Sequence, residues 1–282
     1  MTAPTDRAAI LIEALPYIRR FHGATVVVKY GGNALAGSEV ASFAEDVVLL
    51  HSVGIKPVVV HGGGPQIGEL LDRLGMQSEF RDGLRVTDAE TLDVARMVLV
   101  GKVNRDIVSA MNVHGPIAVG LSGEDAKLIT AAPHSVELGF VGTVLAVDPS
   151  ILRRLLAEDL VPVVATIGAD ETGQAYNINA DTVAGAIAAS LDAEKLVFLS
   201  DVEGVREDPS DASSCIRRLS ADRLAELLES GRAAGGMIPK AEACVRAVRA
   251  GVRRAHILDG RIEHAILLEL FTDGGIGTMV MP

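Results

Sequence analysis

The chain has 282 residues, of which 49% are hydrophobic and 22% charged, and its 26 Lys and Arg against 37 Asp and Glu give a formal net charge of −11. That much apolar material builds a sizeable core and excludes wholesale disorder. The acidic balance argues against a nucleic-acid-binding face. No apolar run approaches the roughly 18 residues that span a bilayer, so no membrane partner is expected.

The first twenty residues lack the basic start and long apolar stretch of a secretory signal. Cys215 and Cys244 are the only cysteines, too few for a disulfide framework and not a CxxC pair. Free thiols in a reducing, cytoplasmic compartment are expected.

Taken in chain order, helical spacing over 5–21, which Pro16 should kink, precedes a β-branched strand over 25–29. A helix over 39–53, a strand over 57–60 and a helix over 65–74 follow. Thr87 and Glu90 form a capping box that opens a helix to about residue 113. A strand at 117–120 leads to an expected antiparallel pair over 126–131 and 139–147. A helix after Pro149, a strand over 161–165, a small-residue helix over 181–191 and a strand over 196–199 come next. Helices from about 220 and 239 and strands over 255–258 and near 279–280 complete the chain. Strands apolar on both faces, alternating with helices, predict an α/β fold: a three-layer αβα sandwich around a central, mainly parallel open sheet. The polar turn at 170–173 is the expected boundary between residues 25–172 and 173–282, with 1–24 as a separate helical arm.

In open α/β sheets ligands bind at the carboxyl ends of strands. Two such ends are glycine-rich: Lys29-Tyr30-Gly31-Gly32-Asn33 and His61-Gly62-Gly63-Gly64-Pro65. Consecutive glycines let backbone N–H groups converge on an anion, and a helix start behind them adds partial positive charge. Neither loop has the spacing of the common nucleotide P-loop, and neither is a clean G-x-G-x-x-G. The chain has only six lysines beside twenty arginines. Lys29 ends an apolar strand, where an ammonium calls for an anion. Lys240 follows Gly235-Gly236 at a helix start, where it opposes the helix dipole.

Asn177, Asn179 and Asp181 crowd one strand-to-helix junction, and either Asn179 or Asp181 could serve as the helix cap. Arg85, on a loop before the capping box, suits a carboxylate or a surface salt bridge. Asp201 follows another apolar strand; a ribose, a metal shell, a helix and a turn are all open to it. No His/Cys cluster has metal-ligand spacing.

In this order Lys29-x-Gly-Gly, His61-Gly-Gly-Gly-Pro65, Gly83-Leu-Arg85-Val-Thr87, Asn177-x-Asn179-Ala-Asp181, Leu199-Ser-Asp201-Val-x-Gly204 and Gly235-Gly-Met-Ile-Pro-Lys240 resemble the amino-acid kinase family, in particular its arginine-biosynthetic members. The resemblance implies ATP-dependent phosphorylation of the side-chain carboxylate of N-acetyl-L-glutamate, with Mg2+. It implies that Lys29 and Lys240 stabilise the transferring phosphoryl group and that Asp181 positions them. Gly63, Gly64, Arg85 and Asn177 would hold the acceptor within 25–172 and its junction, while Gly31, Gly32 and Asp201 would hold ATP, chiefly with 173–282. The extra N-terminal helix and the ending His264-x-x-x-x-Glu269-Leu-Phe-Thr-x-x-Gly275 resemble the L-arginine-inhibited members. That likeness implies feedback inhibition, a hexamer built as a trimer of dimers, and Tyr17, His264, Glu269 and Gly275 as effector residues. A sister kinase acting on glutamate, aspartate, carbamate, UMP or an aminoadipate derivative, and a non-catalytic arginine sensor, are the competing readings.

Overall fold

The structure is a computed structural model that describes residues 4–31, 38–81, 83–208, 210–232 and 235–282. The chain runs α1 (Pro4–Phe21), β1 (Thr25–Tyr30), α2 (Ser38–Ser52), β2 (Lys56–His61), α3 (Gly64–Arg73), the hairpin β3 (Phe80–Arg81) and β4 (Leu84–Arg85), and α4 (Ala89–Arg96). It continues through a π-helical stretch (Met97–Val103) into α5 (Asn104–Asn112), then β5 (Ala118–Ser122), β6 (Ile129–Pro133), β7 (Val141–Val147), α6 (Ser150–Ala157), β8 (Val161–Ala165), β9 (Ile167–Ala169) and β10 (Ala175–Ile178). The remainder is α7 (Ala180–Ser190), β11 (Lys195–Ser200), β12 (Arg218–Ser220), α8 (Ala221–Glu229), α9 (Met237–Arg249), β13 (Ala255–Asp259), α10 (Ala265–Leu270) and β14 (Thr278–Met281).

Among the described residues, eight strands form one open sheet in the order β12-β14-β13-β11-β1-β2-β8-β5. It is parallel from β13 to β5; β14 runs antiparallel to β13 and β12 runs with β14. The expected antiparallel pair is β6 and β7, but it closes with β9 and β10 into a small four-stranded barrel instead of extending the main sheet. Its first strand begins at Ile129, because Ala126 and Lys127 take left-handed backbone angles in a tight turn. Residues 170–173 are the turn between β9 and β10, where the Asp170 carboxylate accepts the N–H groups of Thr172 and Gln174 at 2.8 and 3.0 Å. The main sheet takes strands from both sides of that turn, with β1 paired to β2 and to β11.

The period-two alternation of a strand assigns each β1 side chain to a face. Val26, Val28 and Tyr30 join the core under α2, α4 and α5, whereas Val27 packs with the core under α7, α8 and α9. Lys29, two residues after Val27, is therefore aimed at the α7 and α9 face. The helix predicted from the capping box is capped by Asp88, not Thr87: Asp88 Oδ1 accepts Thr91 N at 2.8 Å while the Thr87 hydroxyl donates to Arg85 O. Helix α1 runs through Pro16, and none of the described helices is long and apolar enough to cross a membrane.

Candidate active site

The carboxyl ends of β1 and β2, the β3–β4 hairpin and the starts of α7 and α9 enclose a cavity of about 370 Å3. It brings together Lys29, Gly63, Gly64, Arg85, Asn177, Asp181 and Lys240, seven residues drawn from a span of more than two hundred.

Its centre is an ion triad. Asp181 is buried, with Oδ1 at 2.9 Å from Lys29 Nζ and Oδ2 at 3.3 Å from Lys240 Nζ. Lys240 also donates to Gly236 O at 3.1 Å. Burial alone would raise the Asp181 carboxyl, but the two ammonium groups hold it below the usual carboxylate range. The cap at this junction is Asn179, whose Oδ1 accepts Asp181 N at 2.9 Å and Thr182 N at 3.1 Å. That division of labour leaves the Asp181 carboxylate free to hold the lysines. One net positive charge remains, which suits a polyanion.

Gly31 is fixed by space. A Cβ there would lie 2.8 Å from Lys29 Nζ, so a side chain would displace the ammonium. Gly32 lies outside the described residues.

Arg85 forms the far wall. Its guanidinium donates to Gly64 O at 2.9 Å and to the Ser78 hydroxyl, and lies 4.6 Å over the Phe80 ring. No carboxylate pairs with it among the described residues. Burial lowers its pKa, with Asp72 opposing. A mostly buried guanidinium without a carboxylate is built to receive one. Asn177 Nδ2 stands 3.5 Å from Thr87 Oγ1, and its backbone N–H is bonded to Phe140 O.

Several lining residues escaped sequence reading. Gly62 belongs to the flagged loop, and Thr166 directly follows a predicted strand at the same sheet edge; position alone could have found both. Phe80 carries no such signal, and neither does Ser78, which stands outside the lining and bonds Arg85. Asp201 sits exposed at the end of β11, accepts the Ser200 hydroxyl at 3.2 Å and does not line the cavity. It shares the sheet edge, because Phe198 of β11 pairs with Lys29.

A second cavity of about 280 Å3 opens on the other side of the main sheet's strand ends, at the starts of β11 and β13. It contains Tyr17, Glu269 and Gly275 together with Lys195, His256 and four arginines, Arg20, Arg217, Arg218 and Arg254. Tyr17 donates to the Asp273 carboxylate. Glu269 lies 2.6 Å from His256 Nδ1 and accepts Ile276 N at 2.7 Å. A Cβ on Gly275, whose φ is +56°, would come within 2.6 Å of the Glu269 carboxylate. His264 is not there. It precedes α10 with Nδ1 at 2.6 Å from Asp46 of α2, against a different cavity. The histidine that meets Glu269 is His256, hidden in the sequence inside an ordinary-looking strand.

The chain matches the amino acid kinase family over residues 24–259. Proteins named acetylglutamate kinase are 55% identical in Saccharopolyspora erythraea, covering 100% of this chain and 95% of the relative. One in Symbiobacterium thermophilum is 54% identical over 98% of both chains. The chloroplastic protein of Arabidopsis thaliana is 52% identical over 99% of this chain and 81% of its own. Among solved structures, N-acetylglutamate synthase from Neisseria gonorrhoeae, with coenzyme A and N-acetyl-glutamate, superposes with a TM-score of 0.86 at 31% identity. That match takes in 98% of this chain but only 63% of the synthase. A second structure of that synthase, with coenzyme A and L-arginine, gives 0.85 at 30% identity, over 97% of this chain and 65% of the synthase. Fold, sequence and the lysine–aspartate–lysine cavity agree: the chain belongs to the amino acid kinase family.

Proposed function

We propose that this chain transfers the terminal phosphoryl group of ATP to the side-chain carboxylate of N-acetyl-L-glutamate, giving N-acetylglutamyl 5-phosphate and ADP, a step of arginine biosynthesis. The observation that carries the reading is the Asp181 carboxylate holding Lys29 and Lys240 in one cavity that has Arg85 on its opposite wall. The relatives' shared name supplies the acceptor.

The chemistry follows from charge. A glutamyl side chain of ordinary pKa, about 4.3, is ionised at neutral pH, so the nucleophile needs no general base. The obstacle is bringing an anion against a polyphosphate, and the remedy is positioning with charge neutralisation. Lys29 and Lys240 supply positive charge at the transferring group. Asp181, with both oxygens on ammonium groups, organises them and takes no proton. Arg85, with Asn177 and the N–H groups of Gly63 and Gly64, holds the acceptor's other polar groups. Gly31, Gly32 and Asp201 serve the nucleotide side. In this division residues 25–172 carry the acceptor, with Asn177 added from across the boundary, and 173–282 carry the nucleotide together with the Gly31–Gly32 turn.

Among the described residues no cluster of three or more His, Cys, Asp or Glu could hold a metal ion. Mg2+ enters this reading as part of the MgATP substrate, held by phosphate oxygens and water. A cytoplasmic location fits an ATP-consuming enzyme with two free thiols. ADP release measured with MgATP and a panel of acceptors tests the assignment. Turnover on glutamate, aspartate, carbamate, UMP or an aminoadipate derivative, with none on N-acetyl-L-glutamate, would reject it.

A regulatory reading is favoured by the second cavity. Its Glu269 can face a guanidinium, and its excess of cations can face a carboxylate, which together describe L-arginine. Helix α1 brings Tyr17 to this cavity and exposes Ile10, Leu11 and Ile12, 58–69% accessible in one chain. Exposed apolar side chains of that kind are suited to burial against another copy, in keeping with a hexamer built as a trimer of dimers. L-Arginine should inhibit the full chain and leave a chain starting at Arg19, which keeps the buried Phe21, uninhibited. Equal inhibition of both, or of neither, removes the effector role of α1.

A further inference from the structure

Directly behind the triple-glycine turn lies a buried polar network that phosphoryl transfer does not itself use. His61 ends β2 and Asn104 opens α5, where the π-helical stretch 97–103 gives way to α-helix, and both are fully buried. Asn104 Nδ2 lies 2.8 Å from Val163 O and 3.0 Å from His61 Nε2, and its Oδ1 accepts from the Arg105 guanidinium. His61 Nδ1 lies 3.0 Å from Gly62 O.

Donors and acceptors allow one assignment. An amide NH2 has two hydrogens and nothing to accept with. One hydrogen goes to Val163 O; the other has His61 Nε2 at 3.0 Å and the more distant Leu121 O at 3.4 Å, and a protonated Nε2 so close to the NH2 would set donor against donor, so Nε2 is unprotonated. The ring proton therefore sits on Nδ1 and is donated to Gly62 O. Turning the Asn104 amide over would set its NH2 against the Arg105 guanidinium and its oxygen against the Val163 carbonyl, so the network holds its own orientation. Burial keeps the ring neutral, drawing His61 down to about 4.

The glycine carbonyls show what this does. Gly62 O is taken by His61, Gly63 O accepts Ile67 N at 2.9 Å, and Gly64 O accepts from Arg85 at 2.9 Å. In a trans peptide the C=O and the following N–H point in opposite directions. Drawing the Gly62 carbonyl toward His61 thus sends the Gly63 N–H the other way, and drawing the Gly63 carbonyl toward α3 does the same for Gly64 N–H.

We propose that His61 and Asn104 are positioning residues for the acceptor: the Asn104 amide selects the His61 tautomer, and that tautomer turns the Gly62–Gly63 peptide so that its N–H faces the acceptor's anionic group. The proposal rests on the reading of this cavity as the acceptor site.

Two substitutions separate the halves of the network. His61→Asn keeps a donor near the Nδ1 position and loses the acceptor at Nε2. His61→Gln keeps an acceptor near Nε2 and loses the donor to Gly62. On the full chain at saturating MgATP, the KM for N-acetyl-L-glutamate should rise about tenfold in His61→Gln, the scale of one lost hydrogen bond. It should stay within about twofold in His61→Asn, with kcat and the KM for ATP little changed in both. Equal KM effects in the two variants, or a loss confined to kcat, would overturn the proposal. Ring 15N NMR of the unsubstituted chain needs no variant to fold: a neutral Nδ1–H tautomer, unchanged from pH 8 to 5.5, is expected. An Nε2–H tautomer, or titration near pH 6.5, overturns it. Failure of the acceptor reading has its own signature, the unsubstituted chain releasing no ADP with N-acetyl-L-glutamate, and that removes the proposal at its premise.

Discussion

One cavity lies at the carboxyl ends of β1 and β2 and the other at the amino ends of β11 and β13, and they handle charge in opposite ways. At the carboxyl end, Asp181 binds Lys29 and Lys240 into a compact triad, and backbone N–H groups of the glycine turn add polarity without extra ions. At the amino end, Lys195, His256 and four arginines crowd around Glu269 and Asp273. The first arrangement gathers a few charges into one fixed group, and the second leaves positive charge in surplus around two carboxylates. Parallel strands make the distinction natural, because their carboxyl ends gather loops and helix starts while their amino ends receive helix ends.

The sharpest way to break this comparison is to remove a charge from the triad. Lys29→Ala or Lys240→Ala should lower kcat by roughly 100- to 1000-fold, the scale of one preorganised group at a reacting centre, with smaller changes in KM. Near-normal kcat in either variant, measured by ADP release, would end the catalytic assignment. Arg217→Ala in the other cavity should leave uninhibited kcat within about twofold.

Acidity sharpens the contrast next. His61, behind the first cavity, is drawn from 6.5 to about 4 by burial. The unfolded chain then binds a proton that the folded chain refuses, so this stabilisation is complete above pH 6.5 and is lost as pH falls toward 4, about 3 kcal/mol across the window. Lys195, in the second cavity, is drawn from 10.5 to about 8 by burial. Its contribution is complete above pH 10.5 and is lost as pH falls toward 8, by a similar amount. Denaturant unfolding across pH 4–11 should show both slopes, with Lys195→Met flattening the alkaline one alone.

Arg85→Lys comes third. A lysine keeps the charge but cannot reproduce the planar fork over Phe80, so the KM for the acceptor should rise roughly tenfold or more, with the KM for ATP unaffected. The smallest effect belongs to the exposed pair Lys102–Asp106, 3.2 Å apart one helical turn from each other. Lys102→Ala should cost under about 0.5 kcal/mol in unfolding experiments and change no kinetic constant.

The two regions were also unequally legible in the sequence. The first announced itself because strand-end glycines, an apolar strand ending in lysine and an Asn-x-Asn-x-Asp junction are local patterns with local causes. Seven of its residues converge as expected, and Asn179 proved to be the cap that the pattern left undecided. The second cavity is assembled from strand starts and helix ends far apart in sequence, where only tertiary packing makes neighbours. His256 reads as one more core position within an apolar strand, and the His264 that the C-terminal resemblance implies is paired with Asp46 elsewhere. The small barrel was hidden for a similar reason: alternation reveals that β6 and β7 pair, not that β9 and β10 close the circle.

The π-helical stretch at Met97–Val103 holds one more residue in its turn than an α-helix would. Were the same residues wound as regular α-helix instead, that extra residue would no longer be absorbed and Asn104 would swing by about 100° around the axis, away from His61. Such rewinding would carry the buried Ile107 and Met111 off the core together with Asn104, so the wide turn acts as an indexing notch that sets the angular position of the whole helix.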